Sequence, residues 1–293
     1  MVHLAFCQVR SMIMKFANLH LHSTYSDAQF TPCQLLMIGK SLGYKALALT
    51  DHETDGGVRE FMSLAKQMDM EAVTGVEFYG VEDGVNLHLT ALDFDPEDPA
   101  LRSFIRERCQ KEAEYARKCV ERGIRLGHIQ QLEWNDILDL APDNAWICID
   151  TVMWVMEIKK LVPADYDWHQ FRLDVFKGPE VKSFKSPPPT AEQVIRTIRK
   201  AGGVAVLAHP VNQTRFAGKL LDYGLNGIEI CHPSLDDTQS LLAEEAAKEY
   251  SLYRLGGTDH TGPMSGCDGK NAVPAFHGID EEDFFILKER RFG

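Results

Sequence analysis

The residues of this 293-residue chain best equipped for chemistry are histidines and carboxylates that close short apolar runs. "FANLHLH" ends on His20 and His22, "KALALTDH" on His52, "EAVTGVEF" on Glu77 and Phe78, and "GVAVLAHP" on His209 and Pro210. "NGIEICHP" presents His232, and "YRLGGTDH" presents Asp259 with His260. His88 lies within "VNLHLTALDF", and Asp27 follows His22 by five residues. Imidazole and carboxylate donors with no thiolate among them suit Zn, Mn or Fe better than Ca or Mg. In the His-x-His spacing, side chains two apart on a strand face one side at about 7 Å, so His20 and His22 can grip one cation. Taken singly, the pair also reads as packed core histidines, Glu77 as an ion-pair partner and Asp27 as a turn residue. Their joint placement at strand ends favours the metal. For His232 both readings stand, whereas His3, His128, His169 and His277 fall outside these runs and read as structural.

The runs that carry these groups are rich in Val, Ile, Leu and Ala and are followed by helical patterns. This is the signature of strands alternating with crossover helices, and it predicts a parallel sheet. In barrels of that kind, functional groups collect at the C-terminal mouth, where residues distant in sequence converge. Thr31 and Thr190, each with Gln three residues later (Gln34, Gln193), are capping boxes; Pro32 suits a first helical position, and Gly43 and Gly202 mark stops. Between Asp98 and Pro189 the alternation lapses. "LRSFIRERCQKEAEYARKCVERG" reads as one long amphipathic helix, and all four tryptophans (Trp134, Trp146, Trp154, Trp168) fall in this region. The expected division is therefore a barrel over 14–97 and 190–293, interrupted at 98–189 by a helical insertion with its own small core. "KGPEVKSFKSPPP" is expected as a loop returning to the barrel.

Composition narrows the function. The formal charge of -12, without a long basic run, argues against tracking along a nucleic-acid backbone. No stretch approaches the roughly 20 apolar residues of a membrane span. Seven scattered cysteines without Cys-x-x-Cys spacing read as reduced thiols of a cytoplasmic protein. "MVHLAFCQVRSMIMK" has no basic n-region, so no secretory signal is expected, and the ordered chain is expected to begin near Met14. The oligomeric state is not legible.

The series "HLHSTYSD", "ALTDHETDG", "VTGVEF", "LHLTALDFDP", "GGVAVLAHP" and "GGTDH" resembles the PHP (polymerase and histidinol phosphatase) superfamily, and within it the single-domain members with a helical insertion that act on nucleotides. The resemblance implies a distorted seven-stranded β/α barrel, TIM-like, with a trinuclear metal centre at its mouth. It implies that His20, His22 and Asp259 hold one ion, that Glu77 bridges it to a second held by His88 and His209, and that Asp27 and His52 belong to a third. The third ion's remaining histidine normally lies two residues after the aspartate. Here that position is Thr261, and the histidine is His260, adjacent to Asp259. Both 259 and 260 can face one cluster only if the chain turns sharply, which Gly256, Gly257 and Gly262 permit. Two or three divalent ions (Mn, Fe or Zn) per chain are thus expected.

The implied reaction is hydrolysis of a small phosphomonoester by a metal-activated hydroxide, AMP or a 3',5'-bisphosphate being the first candidates. Histidinol phosphate is the alternative substrate, a polymer-degrading exonuclease is disfavoured by the acidic charge, and a non-catalytic metal-binding PHP domain is the alternative of another class. Asp51 and Glu53 are expected to accept hydrogen bonds from ligand imidazoles. His232 is expected to contact the substrate or protonate the leaving oxygen. Asn212, Arg215 and Lys177 are the candidate substrate contacts.

Overall fold

The computed structural model describes residues 15–161, 167–260 and 277–290. The expected start at Met14, His3, Cys7, Cys267, Thr261 and Gly262 lie outside the described residues, as does the side chain of Trp168.

Seven strands form one sheet in sequence order: β1 (Ala17–Asn18), β2 (Ala46–Leu49), β3 (Glu71–Glu82), β4 (Val85–Leu92), β5 (Val204–Leu207), β6 (Gly227–Cys231) and β7 (Tyr253–Gly256). After β1 the chain stays extended between its neighbours. Thr50 donates its amide to the Leu21 carbonyl at 2.8 Å, Leu19 donates to Gly256 at 3.1 Å, and Asp259 donates to His20 at 2.9 Å. A parallel bridge between Leu21 and His260 brings the two edges together, so the sheet is a nearly closed barrel. The expected seven-stranded α/β barrel is borne out.

The expectation of an all-parallel sheet fails at β4, which runs antiparallel to both β3 and β5, whereas the remaining neighbours are parallel. The cause is local. Asp83 (φ 48°) and Gly84 (φ 75°) form a two-residue turn with both central residues left-handed, the geometry that joins antiparallel strands directly and leaves no room for a crossover helix.

Around the barrel lie α1 (Pro32–Ser41), α2 (Val58–Gln67), α3 (Pro99–Arg125), α4 (Trp134–Leu140), α5 (Ile149–Ile158), α6 (Trp168–Phe176), α7 (Pro179–Phe184), α8 (Ala191–Lys200), α9 (Ala217–Leu221), α10 (Asp237–Glu249) and α11 (Glu281–Lys288). Both capping boxes form, at Thr31 on α1 and Thr190 on α8. Helices α8 and α10 pack with Phe78, Leu87, Leu89 and Leu207 into the largest apolar cluster; α1 and α2 cover β2 in another. Helices α3 to α7 share a separate core that includes Cys119, Ile137, Val155, Phe171 and Val181. The stretch expected as a loop at 177–189 contains α7, because Pro179 occupies its first turn and Val181 finds a buried place in that core. Cys33, Cys109, Cys119, Cys148 and Cys231 are free thiols, and among the described residues no helix is long and apolar enough to cross a membrane.

Candidate metal centre

The strand ends converge on Glu77, which the β3 backbone aims into the barrel mouth and which is fully buried. One carboxylate oxygen, Oε1, lies 2.9 Å from His88 Nδ1 and 3.0 Å from His209 Nε2. The other, Oε2, lies 3.3 Å from His20 Nε2, 3.3 Å from His22 Nε2 and 3.1 Å from His52 Nδ1. Five imidazoles from four stretches of chain therefore surround one carboxylate. The turned β4 explains His88. Because that strand runs back from the mouth, its beginning rather than its end lies there, which places the fourth residue of β4 beside Glu77.

Asp259 adds a second carboxylate, with Oδ1 at 3.0 Å from His22 Nε2 and 3.7 Å from His20 Nε2. It adopts φ 47°, and His209 adopts φ 24°. Non-glycine residues in the left-handed region carry strain that surrounding contacts must hold, a pattern that gathers at functional sites. Asp27 sits on the other side, its Oδ1 3.6 Å from His22 Nδ1 and its Oδ2 3.8 Å from His52 Nε2. His20, His22 and Glu77 are closed to solvent, whereas the side chains of Asp259 (18% exposed), His209 (18%), Asp27 (21%) and His88 (28%) open outward, so access is from their side.

The donor set fits a divalent cation. Glu77 Oε2, His22 Nδ1 and His52 Nδ1 are buried and make no hydrogen bond, although buried polar atoms are seldom left so. Among the described residues four groupings lie within coordinating reach: His20, His22, Glu77 and Asp259; His20, Glu229 and His232; His22, Asp27 and His52; and His52, Glu77 and His88. Charge agrees with that. Burial disfavours ionised Glu77 and Asp259, but the imidazoles around them, His20 foremost, hold both well below the usual carboxylate range. Burial likewise opposes charge on His20, and Glu229, Glu77 and Asp259 overcome it, leaving its pKa well above the ordinary value. Burial keeps His52 well below its ordinary value, hence neutral, the form that ligates metals.

Two expected roles are corrected. Asp51 and Glu53 touch no ligand imidazole through their carboxylates. Asp51 accepts from the Ser23 amide (2.7 Å), the Ser23 hydroxyl (2.7 Å) and the Ser26 hydroxyl (2.5 Å), so it fastens the turn that delivers Asp27. Glu53 accepts from Arg108 Nε at 2.8 Å and from the Tyr79 amide at 2.9 Å. The carboxylate that does orient a ligand imidazole is Glu229, on β6. Its Oε1 accepts from His20 Nδ1 at 2.8 Å and its Oε2 from the His209 amide at 2.6 Å, which turns His20 Nε2 toward Glu77. The sequence signal was present: one acid inside the apolar run "GIEIC" cannot stay buried without partners.

His260 departs from the group. The chain does turn sharply at Asp259, yet the buried His260 ring stacks on Phe30 with centroids 5.1 Å apart, and it joins none of the coordinating groups among the described residues. His232 is buried beside the site, with Nε2 3.4 Å from Asp259 Oδ2 and Nδ1 accepting from the Ser234 amide at 3.0 Å. Asn212 lies exposed in the turn after His209 and Arg215 exposed in the short 3-10 helix Thr214–Phe216, where Arg215 donates to the Asn212 carbonyl at 2.8 Å and lies over the Phe216 ring. Lys177 is exposed between α6 and α7. The insertion reaches the site by another residue. Trp146, buried outside the insertion core, has its ring 5.4 Å from His52, and its amide donates to the Tyr25 carbonyl at 2.8 Å.

The PHP domain family matches residues 18–150. A 5'-3' exoribonuclease of Haemophilus influenzae is 29% identical over 262 residues, covering 87% of this chain and 93% of that protein. A 3',5'-nucleoside bisphosphate phosphatase of Chromobacterium violaceum is 26% identical over 272 residues, covering 85% and 88%. A solved structure from Bifidobacterium adolescentis, described as a metal-dependent phosphoesterase, superposes with a TM-score of 0.77 at 21% identity over 95% of this chain and 97% of that one, a likeness of fold.

Proposed function

We propose that this chain, whose residues 18–150 match the PHP domain family, is a metal-dependent phosphoesterase of that family releasing phosphate from a small phosphomonoester. A nucleotide such as AMP or a 3',5'-bisphosphate is the first substrate to test. The observation that carries the reading is Glu77, a buried carboxylate with five imidazole nitrogens within 3.3 Å of its two oxygens.

His20, His22 and Asp259 would hold one ion, His88 and His209 a second, with Glu77 between them, and Asp27 with His52 a third. Divalent ions supply Lewis acidity at a phosphoryl oxygen and lower the pKa of water toward neutrality. The chain's own residues do the rest. Glu229 fixes the His20 tautomer, and Asp51 fixes the turn that presents Asp27. His232 is kept neutral by burial, and the Ser234 amide occupies its Nδ1, so the ring proton resides on Nε2, beside Asp259. From there the N–H is placed to donate a hydrogen bond to a leaving oxygen, as a neutral imidazole can without giving up its proton.

A small substrate is favoured by the segment 144–146, which brings the Trp146 ring to 5.4 Å from His52. Thr54 donates to the Asn144 carbonyl at 2.7 Å, and the Trp146 amide is tied to Tyr25. The acidic net charge also weighs against a polymer. The similarity to an exoribonuclease over most of both chains keeps oligonucleotide cleavage as the second reading.

The test is elemental analysis of the purified protein, followed by phosphate release from AMP, a 3',5'-bisphosphate, histidinol phosphate and a short oligonucleotide. Two or three ions per chain with turnover of one small ester is the expected result. Turnover of the oligonucleotide alone would transfer the assignment to the second reading, and full metal loading without any turnover would overturn catalysis.

A further inference from the structure

Three contacts tie the helical insertion to the loop that begins at His52. Arg108, in the middle of α3, forks onto Glu53, with Nε at 2.8 Å from Oε2 and Nη2 at 3.4 Å from Oε1. The adjacent Cys109 thiol donates to the Glu53 carbonyl at 3.3 Å, and Thr54 donates to the Asn144 carbonyl. Glu53 is fully buried and holds φ 55°, a conformation that needs external support. Its amide donates to the Glu77 carbonyl at 2.8 Å, and its Oε1 accepts from the Tyr79 amide. Tyr79 in turn stacks on His52, with centroids 4.9 Å and planes 18° apart, places its hydroxyl 3.2 Å from His52 Nε2, and meets His88 edge-on at 4.6 Å. A continuous chain of contacts thus runs from α3 through Arg108, Glu53 and Tyr79 to two imidazoles of the metal centre.

We propose that Arg108 is a positioning residue for the metal centre: through Glu53 and Tyr79 it fixes His52 and His88, so that α3 is part of the machinery that binds the two ions these imidazoles would hold. The inference rests on the metal-site reading above. The guanidinium is suited to the task because its planar fork meets both oxygens of a buried carboxylate, which a single ammonium cannot do. His20, His22 and Asp259, which would hold the first ion, have Glu229 as their support through His20 and make no hydrogen bond to Arg108, Glu53 or Tyr79 among the described residues.

The experiment is calorimetric titration of metal-free protein with Mn²⁺ or Zn²⁺ alone, comparing the parent with Arg108→Gln, Arg108→Lys, Tyr79→Phe and the exposed control Arg106→Gln. Arg108→Gln should weaken the sites that use His52 and His88 by about 10- to 100-fold, the effect typical of losing an outer partner of a ligand, and leave the class formed by His20, His22 and Asp259 unchanged. Arg108→Lys should recover part of the loss, Arg106→Gln should match the parent, and Tyr79→Phe, which leaves α3 intact, should weaken the same sites. A parent that binds no metal would refute the metal-site reading itself. A parent that binds, with Arg108→Gln and Tyr79→Phe binding equally well, or with all classes weakened alike, would overturn the brace. If Arg108→Gln fails to fold, the Tyr79→Phe titration alone decides.

Discussion

Replacing Glu229 by Gln exchanges one carboxylate oxygen for an NH2 group of nearly the same size, in a place with no solvent to compensate. Both oxygens are used: one accepts from His20 Nδ1 at 2.8 Å, the other from the His209 amide at 2.6 Å. An amide has one acceptor oxygen, so it can serve only one of these donors and must set its own N–H groups against the other. If the oxygen stays with His209, the NH2 faces His20 Nδ1. The imidazole then moves its proton to Nε2, the atom that faces Glu77, and cannot ligate there. If the oxygen goes to His20, the His209 amide is left buried and unpaired in the strained residue that also faces Glu77. A hydrogen bond to a charged group contributes about 1.5–3 kcal/mol. Removing an outer partner of a ligating histidine lowers metal affinity by about 10- to 100-fold, which at about 1.4 kcal/mol per tenfold gives a similar range. The predicted outcome for Glu229→Gln is such a drop in affinity for the tightest ion, measured by competition with a chromophoric chelator, with a fall in kcat/KM at limiting metal and an unchanged far-ultraviolet circular dichroism spectrum. A variant that binds metal as tightly as the parent and turns over equally fast would refute the tautomer reasoning.

Two further outcomes are expected. Gly257→Ala would place a methyl group 2.4 Å from the His20 backbone nitrogen and Cβ, so the last strand must shift away from the first; overpacking of this kind costs about 1–3 kcal/mol or more, and a urea melt should show the midpoint fall together with metal content. His260→Gln should leave the number of bound ions per chain unchanged while lowering the thermal midpoint through loss of the stack on Phe30; loss of one equivalent by elemental analysis would return His260 to the ligand set.

How much of this was legible beforehand depends on whether the determinant was local. His20, His22, His52, His209 and Asp259 announce themselves because each closes an apolar run, and strand ends of a barrel meet at one mouth. Thr31 and Thr190 announced their helices because a cap acts within three residues. The reversal of β4 was also written locally, in Asp83-Gly84, but was masked by the regular alternation on either side. The outer partners were illegible for another reason. Asp51 and Glu53 neighbour His52 in sequence, which suggested contact, but the chain turns their carboxylates toward Ser23, Ser26 and Arg108 instead. Glu229 stands 209 residues from His20 and Arg108 stands 55 from Glu53, separations across which no periodicity speaks.

What the sequence by itself determined is therefore the kind of chemistry: imidazole and carboxylate donors at strand ends, an alternating barrel and a helical interruption, all set by residue type and short-range pattern. What only the tertiary structure decided is which side chains steady those donors. A hydrogen bond depends on distance and angle between atoms, and for groups this far apart along the chain both are fixed only when the barrel closes and the insertion packs against it.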